Sequence, residues 1–143
     1  NLLQGITSST VFNQSNQVLG YILISEGGIT DTTVDVRVIY KAALLTNSVA
    51  IILAHNHPSG NLKPSRQDME ITKQVKEAAR LMRITVLDHL ILTDAGYYSF
   101  ADEENYNKVK DTQFLSWVSL SYSLSLLVNV PLVINELVNP TQN

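Results

Sequence analysis

The sequence predicts an α/β (α+β) three-layer sandwich, in which helices flank a mixed central β-sheet. Two apolar runs of strand length, residues 49–54 and 84–93, have the pattern of buried strands, and the first of them is continuous. Between them, residues 66–82 repeat apolar side chains at helical spacing and keep charged side chains on the other side. Strands that alternate with an amphipathic helix are typical of layered α/β domains.

The composition fits one globular domain. The chain has 143 residues, of which 45% are hydrophobic and 16% are charged, and this excludes a disordered chain. Its net charge of −3 indicates no surface for nucleic acid. Because this chain has no cysteine, disulfides and thiolate zinc ligands are excluded, which leaves His, Asp and Glu as metal ligands. No signal-peptide pattern is visible, and we expect a cytoplasmic protein.

The first elements are predicted to be two strands joined by a tight turn. Residues 8–12 have an extended pattern, and the polar residues 13–16 signal a hairpin turn. Residues 18–24 are rich in β-branched and aromatic side chains, which predicts a central strand. Glu26 and the following glycine pair are predicted to end this strand in a turn.

A helix is predicted next, and it leads into the first buried strand. Asp35 is a candidate N-cap, and Asn47 is a candidate end. The apolar side chains between them recur at helical spacing, at Val36, Ile39, Tyr40, Ala43 and Leu44. The strand predicted at residues 49–54 runs directly into His55-Asn56-His57. Because the sites of layered α/β domains lie at such carboxyl ends of strands, we expect the functional residues here.

Two histidines and one aspartate have the spacing of a metal site. His55 and His57 are two residues apart on an extended backbone, so their imidazoles point to the same side and can reach one cation. Asp68 follows a Pro-Ser-Gly turn and a second proline, where a chain that reverses into a helix can bring a carboxylate back. Two imidazoles and a carboxylate make an open zinc site, with one position left for water or substrate.

Ser65 and Asp68 also have a simpler interpretation. A serine followed three residues later by an acid, before an amphipathic segment, is close to a capping box at a helix start. Capping alone would account for both residues, and only the paired histidines upstream favour a metal ligand. The two roles are compatible, because the helix dipole also stabilises an acid in the first turn.

The second buried run contains a polar pair. Asp88 and His89 interrupt residues 84–93, and buried polar groups need hydrogen-bond partners. The pair is either a hydrogen-bonded unit of the core or a pair that orients a zinc ligand from behind, and spacing alone does not decide between them. Residues 94–96 predict a turn, and residues 97–100 predict a short final strand.

The spacing His55-x-His57-x7-Ser65-x-x-Asp68 resembles the JAMM motif of the JAB/MPN metallopeptidases. The fuller string, His55-Asn56-His57-Pro58-Ser59-Gly60 followed by Pro64-Ser65, resembles the bacterial RadC-type branch, a family associated with DNA repair. The flanks resemble that branch too, at Gly27-Gly28-Ile29, Leu87-Asp88-His89 and residues 97–100. The resemblance covers residues 16–101. It implies a JAB/MPN-like (cytidine-deaminase-like) domain over residues 1–104, followed by an extension of unknown role over residues 105–143.

The resemblance also implies a reaction. His55, His57 and Asp68 match the zinc ligands, Ser65 matches the serine that stabilises the oxyanion, and zinc-activated water would hydrolyse peptide or isopeptide bonds in a peptide or protein substrate. The acid that serves as general base in the RadC-type pattern belongs to residues 5–9, which contain no carboxylate here. Glu26 is the only acid before residue 31. It is either a substitute base beside the zinc or an exposed turn residue.

Two other functions compete with a hydrolase. One is a metal-binding or partner-binding module of the same fold with weak or no activity, which would bind zinc without turnover. The other is a nuclease, suggested by the letters His-Asn-His, but the chain lacks a basic surface and a helix-hairpin-helix region.

The carboxyl-terminal part contains a long stretch without charge. Residues 112–135 carry no charged side chain, yet residues 119–126 alternate serine with leucine or tyrosine, which is a strand period and does not indicate a membrane span. The stretch is interpreted as a half-buried strand, a contact in a homo-oligomer or a tail that departs from the family.

Overall fold

The structure is a computed structural model that describes residues 5–27 and 34–104. The strands and helices follow one another in the order β1 (Gly5–Phe12), β2 (Val18–Gly27), α1 (Val36–Leu45), β3 (Ala50–Asn56), α2 (Arg66–Met82), β4 (Thr85–Thr93), β5 (Gly96–Ser99) and α3 (Phe100–Glu104).

The strands form one mixed sheet in the order β2-β1-β3-β4-β5. β1 runs antiparallel to both of its neighbours, β3 and β4 are parallel, and β5 returns antiparallel to β4. A parallel pair needs a crossover connection, and α2 supplies it between β3 and β4. The predicted α/β (α+β) fold with a mixed sheet and helices is confirmed.

The sheet is apolar on both faces. Successive side chains of a strand point to opposite faces, so the buried residues of β3 divide between two clusters. Ile51 and Leu53 pack with residues of α1 and α2 on one face, whereas Ala50, Ile52 and Ala54 belong to a cluster on the other. This double burial confirms the prediction for residues 49–54, and it fixes β3 rigidly in the middle of the domain.

Both long helices begin at the predicted caps. The Asp35 carboxylate accepts a hydrogen bond from the Arg37 N–H at the start of α1, and Ser65 caps α2. Each helix is followed by a residue with a positive φ, Asn47 at 51° and Arg83 at 54°, where the chain turns toward the next strand. Cap residues of this kind supply partners for backbone groups that the helix itself leaves unpaired.

Three details of the predicted elements are wrong. Among the described strands, β2 lies at the edge of the sheet and not at its centre, and Leu19 and Leu23 are 42% and 46% exposed. An edge strand over one packed face buries only alternate side chains, which a run of mixed apolar residues does not reveal. Glu26 does not start a turn but lies within β2, where its backbone pairs with Ile6. Phe100 begins α3 and does not end a strand.

Within residues 5–27 and 34–104, no helix is long and apolar enough to cross a membrane. The interpretations of residues 112–135 fall outside the described residues. The boundary between a domain at residues 1–104 and an extension at residues 105–143 stays a prediction.

Candidate metal centre

His55 and His57 extend from the carboxyl end of β3. The strand is held by β1, with Thr7 opposite His55, and on its other side by the parallel neighbour β4. His57 follows the last strand residue, and its N–H donates to the Leu92 carbonyl at 2.9 Å. Strand alternation places both imidazoles on one face, and their ring centroids lie 4.8 Å apart.

The loop after β3 fixes the His57 ring. The Asn61 carbonyl lies 2.7 Å from His57 Nδ1, and the Gly60 N–H donates to the His57 carbonyl at 3.0 Å. Gly60 has a φ of 76°, in the left-handed region that favours glycine, and this allows the loop to fold back on His57. Because a carbonyl oxygen only accepts, Nδ1 of His57 carries the hydrogen and Nε2 presents a lone pair.

Asp68 closes the helix cap and also faces the two histidines. The Ser65 hydroxyl oxygen accepts from the Asp68 N–H at 3.1 Å, and Asp68 Oδ2 accepts from the Ser65 N–H at 2.6 Å, so the capping box is complete. The same carboxylate faces the histidines, with Oδ1 at 3.0 Å from His55 Nε2 and Oδ2 at 3.3 Å from His57 Nε2. The helix cap therefore holds the carboxylate in a fixed orientation toward both rings.

The three groups fit a zinc ion. His55 Nε2 and His57 Nε2 are 3.0 Å apart, and all the potential ligand atoms lie within 4.8 Å of one another. Ligand atoms around a tetrahedral zinc at roughly 2.0 to 2.2 Å are separated by roughly 3.3 to 3.6 Å, close to the distances seen here. Two nitrogen lone pairs and a carboxylate at such short range repel one another unless a cation or a proton lies between them.

All three histidines of the chain lie in this one cluster. His89 Nε2 is 2.8 Å from His55 Nδ1, and the two ring centroids are 4.9 Å apart. On the far side, His89 Nδ1 is 2.6 Å from the Thr72 hydroxyl of α2. His89 thus contacts the back of a candidate ligand, which is the second of the two arrangements that the sequence left open.

Asp88 has a separate role from His89. Its Oδ2 accepts from the Ser99 hydroxyl at 2.6 Å, and its Oδ1 accepts from the Ala101 N–H at 2.9 Å. The two side chains are not hydrogen-bonded to each other, and the link between the residues is the His89 N–H, which donates to Asp88 Oδ1 at 2.7 Å. Asp88 therefore ties β4 to the junction between β5 and α3.

A cavity of about 610 Å³ opens over the cluster. Its wall includes both candidate histidine ligands, Asp68, Ser65 and the first residues of β1, Gly5 to Thr7. Asp68 and Glu70 are the carboxylates that line it among the described side chains. Glu26 lies in β2, one strand beyond β1, and its side chain is outside the described part of the structure. No carboxylate from residues 5–9 reaches the cavity, since those residues contain none.

A family model, the RadC-like JAB domain, matches residues 4–106. The chain belongs to the RadC-like JAB domain family. The resemblance found in the motif is therefore confirmed, and the matched region includes every described element of the fold.

Curated relatives of this RadC-like JAB domain carry names that state no activity. A UPF0758 protein of Flavobacterium johnsoniae is 48% identical over 91 residues, which is 64% of this chain and 40% of the relative. One from Porphyromonas gingivalis is 47% identical over 94 residues, 65% of this chain and 41% of the relative. One from Methanosarcina acetivorans is 41% identical over 88 residues, 62% of this chain and 38% of the relative. The chain spans about two fifths of the length of these relatives.

Burial and hydrogen bonds shift the pKa values of two groups in the cluster. Burial of Asp68 favours its neutral form, but the hydrogen bond from the Ser65 N–H and the close contact with His55 outweigh this and hold the pKa of the carboxyl well below its usual range. Burial, reinforced by the nearby His55, lowers the pKa of His89 to about 3. At neutral pH the RadC-like JAB domain therefore presents an ionised Asp68 and a neutral His89.

Sequence reasoning missed two partners in this centre. Thr72 lies four residues after Asp68, so both face the same side of α2, and this spacing was a signal that could have found it. The Asn61 carbonyl left no such signal, because its contact with His57 depends on how the loop folds.

Proposed function

We propose that this RadC-like JAB domain is a zinc-dependent hydrolase that cleaves peptide or isopeptide bonds. The observation that carries the proposal is the convergence of His55, His57 and Asp68 on one point at the wall of an open cavity. Two imidazole nitrogens and one carboxylate form the ligand set of hydrolytic zinc sites, which leave a position for water or substrate. The chain has no thiolate that would complete a closed structural site.

His55, His57 and Asp68 would hold the ion. When bound there, zinc would supply Lewis acidity, which lowers the pKa of a water molecule and polarises a carbonyl group. The ionised Asp68 would offset part of the positive charge, and its cap contacts with Ser65 would keep it from turning away. Ser65 lines the same cavity, and its oxygen accepts from the Asp68 N–H, so its hydroxyl hydrogen can be donated to a developing oxyanion.

The cavity suits a peptide-like substrate. Asn61, Gln67 and Gln74 line it, and they offer side-chain groups that can both donate to and accept from amide bonds. Its volume, about 610 Å³, is in the range of pockets that bind small-molecule ligands, and a short peptide segment is of comparable size. These features support an amide substrate, whether the bond is in a main chain or on a lysine side chain.

A second candidate is a metal-binding or partner-binding module with weak or no turnover. One observation favours it: residues 5–9, whose first three line the cavity, contain no carboxylate to remove a proton from water. Removing a positioned general base typically costs roughly 10² to 10⁴ in rate. On this alternative the chain would bind zinc as firmly as a hydrolase and cleave slowly.

Metal analysis of the purified full chain tests the site that both candidates share. We expect about one zinc per chain. His57→Ala should lose it, because only two of the three protein ligands remain. Asp68→Asn should also lose most of its zinc. Its matched control is Asp94→Asn, which should keep its zinc because Asp94 is an exposed acid in the turn between β4 and β5. A full equivalent of zinc in His57→Ala would remove these residues from the site.

A further inference from the structure

We propose that His89 and Thr72 form a hydrogen-bond relay that fixes the tautomer and the orientation of His55. Both are positioning residues, because they act on the candidate ligand from behind and do not line the ligand triangle. The proposal rests on the metal site proposed above, and it adds two residues to it. Its basis is one continuous set of short contacts from the α2 backbone, through Thr72 and His89, to His55.

The direction of each hydrogen bond follows from Thr72. Its hydroxyl oxygen is 2.6 Å from the Asp68 carbonyl and 2.6 Å from His89 Nδ1. The hydroxyl has one hydrogen, and the carbonyl can only accept, so that hydrogen points to Asp68. A hydrogen between Thr72 and His89 must then come from the ring, and His89 Nδ1 is the donor. The opposite choice would leave two oxygens in contact at 2.6 Å with no hydrogen between them.

The tautomer of His89 in turn determines that of His55. A neutral imidazole with its hydrogen on Nδ1 has a lone pair on Nε2. That nitrogen is 2.8 Å from His55 Nδ1, so His55 Nδ1 carries the hydrogen and donates it. His55 Nε2 is left with a lone pair directed toward His57 and Asp68. The Asn61 carbonyl produces the same tautomer in His57.

These assignments leave no hydrogen in the space between His55, His57 and Asp68. One hydrogen lies in each of the four surrounding contacts, which are Thr72 to Asp68, His89 to Thr72, His55 to His89 and His57 to Asn61. Within the triangle of His55 Nε2, His57 Nε2 and the Asp68 carboxylate, every facing atom is an acceptor. Such a triangle matches a divalent cation, whose ligands must present lone pairs.

Packing holds the His89 ring in the plane that the relay needs. The ring is 2% exposed and stacks on Phe100, with centroids 4.9 Å apart and planes 8° from parallel. Phe100 opens α3, next to the Ser99 hydroxyl that donates to Asp88. His89 is thus clamped on its face by an aromatic ring and at both nitrogens by hydrogen bonds. Partners of this kind, behind a metal-bound histidine, typically contribute 10- to 100-fold in metal affinity.

Nitrogen NMR of the unaltered full chain shows directly which imidazole nitrogens carry a hydrogen. With ¹⁵N-labelled histidines, we expect His89 to show a protonated Nδ1 and a bare Nε2 in both the zinc-free and the zinc-loaded protein. We also expect a ¹⁵N–¹⁵N coupling through the hydrogen bond between His55 Nδ1 and His89 Nε2. A hydrogen on His89 Nε2 in both forms would overturn the relay.

Zinc titrations of matched variants measure the effect of the relay on zinc affinity. Thr72→Val keeps the shape of the side chain and loses only the hydroxyl, whereas Thr72→Ser retains it. We expect Thr72→Val and His89→Phe to raise the zinc dissociation constant about 10- to 100-fold, and Thr72→Ser to stay close to the parent. Thr46→Val is the control, because the Thr46 hydroxyl also donates to the carbonyl four residues earlier, at 3.0 Å, but does so at the end of α1.

The outcomes separate this inference from the proposed function. Equal zinc affinity in Thr72→Val and Thr72→Ser, in chains that bind zinc, would overturn the relay and leave the metal site standing. An unaltered chain that binds no zinc, yet shows the predicted hydrogens on His55 and His89, would overturn the proposed function and not the relay. If Thr72→Val fails to fold, the NMR measurement on the unaltered chain still decides.

Discussion

On the proposed function, Gly5→Glu should raise the rate of peptide or isopeptide hydrolysis. The antiparallel register of β1 and β3 places Thr7 opposite His55, and continuing it by two residues brings Gly5 beside His57. Gly5 and Thr7 are two apart on a strand, so they share a face, and both line the cavity. A glutamate at position 5 would therefore direct its carboxylate toward the candidate metal centre, on a strand whose residues 5–9 contain no carboxylate.

The expected gain follows from what a positioned base contributes. General-base catalysis typically accounts for roughly 10² to 10⁴ in rate, which corresponds to about 2.7 to 5.5 kcal/mol in activation free energy. Because the β1 backbone is pinned beside the site by the Asn56 side chain, whose Oδ1 accepts from the Ile6 N–H at 2.6 Å, we expect at least the lower value. The effect should appear in kcat more than in KM, since proton removal belongs to the transition state.

The assay compares four proteins with equal zinc content on fluorogenic peptides and on a reporter joined through a lysine isopeptide bond. These are the parent chain, Gly5→Glu, Gly5→Gln and Glu26→Gln. Gly5→Gln matches the new side chain in size without its basicity, so it should stay at the parent rate. A rate for Gly5→Glu no higher than that of Gly5→Gln would refute the reasoning. Robust hydrolysis by the parent that disappears in Glu26→Gln would make Glu26 the base instead.

Three further predictions concern stability. Ser65→Ala should lower the free energy of unfolding by about 1 kcal/mol through loss of the helix cap, and Ser65→Thr should restore most of it, as chemical denaturation would show. Ser9→Ala should raise that free energy by about 1 kcal/mol, because the buried Ser9 hydroxyl oxygen has no hydrogen-bond partner among the described residues; an unchanged denaturation midpoint would argue against this. The metal-free protein should lose stability as the pH falls from about 6.5 toward 3, by up to about 1.4 kcal/mol per pH unit. The unfolded chain takes up a proton on His89 in that range while the folded one, with its lowered pKa, does not; His89→Phe should flatten this slope in thermal melts at a series of pH values.

The parts of the site that could be predicted from sequence are those that depend on local spacing. His55 and His57 share a face because a strand alternates, and Ser65 and Asp68 meet because a capping box closes over three residues. The strand and the helix that carry them are both long and strongly periodic. Each inference needed only the geometry of one element and the turn that follows it.

The remainder depends on how elements pack, and a single sequence does not encode that in any short pattern. β2 and β3 are similar apolar runs, yet β2 is at the edge of the sheet and β3 is at its centre. The contact between His89 and His55 requires β4 to lie parallel to β3 in a specific register. Spacing along the chain could name His89 as a candidate partner, and only the register of the sheet could choose the ligand it contacts.

The place of Asp68 in a helix cap has a consequence for how such domains change over evolutionary time. A residue that closes the first turn of α2 is maintained by selection for folding, whether or not an ion is ever bound. His55 and His57, in contrast, have no comparable duty in holding a helix or a strand together. In a lineage that lost the proposed zinc site, the histidines would therefore be replaced first and the aspartate would persist. An aspartate at this position without the histidines would therefore indicate only the shared fold. The paired histidines would be the better indication that the proposed metal site is retained.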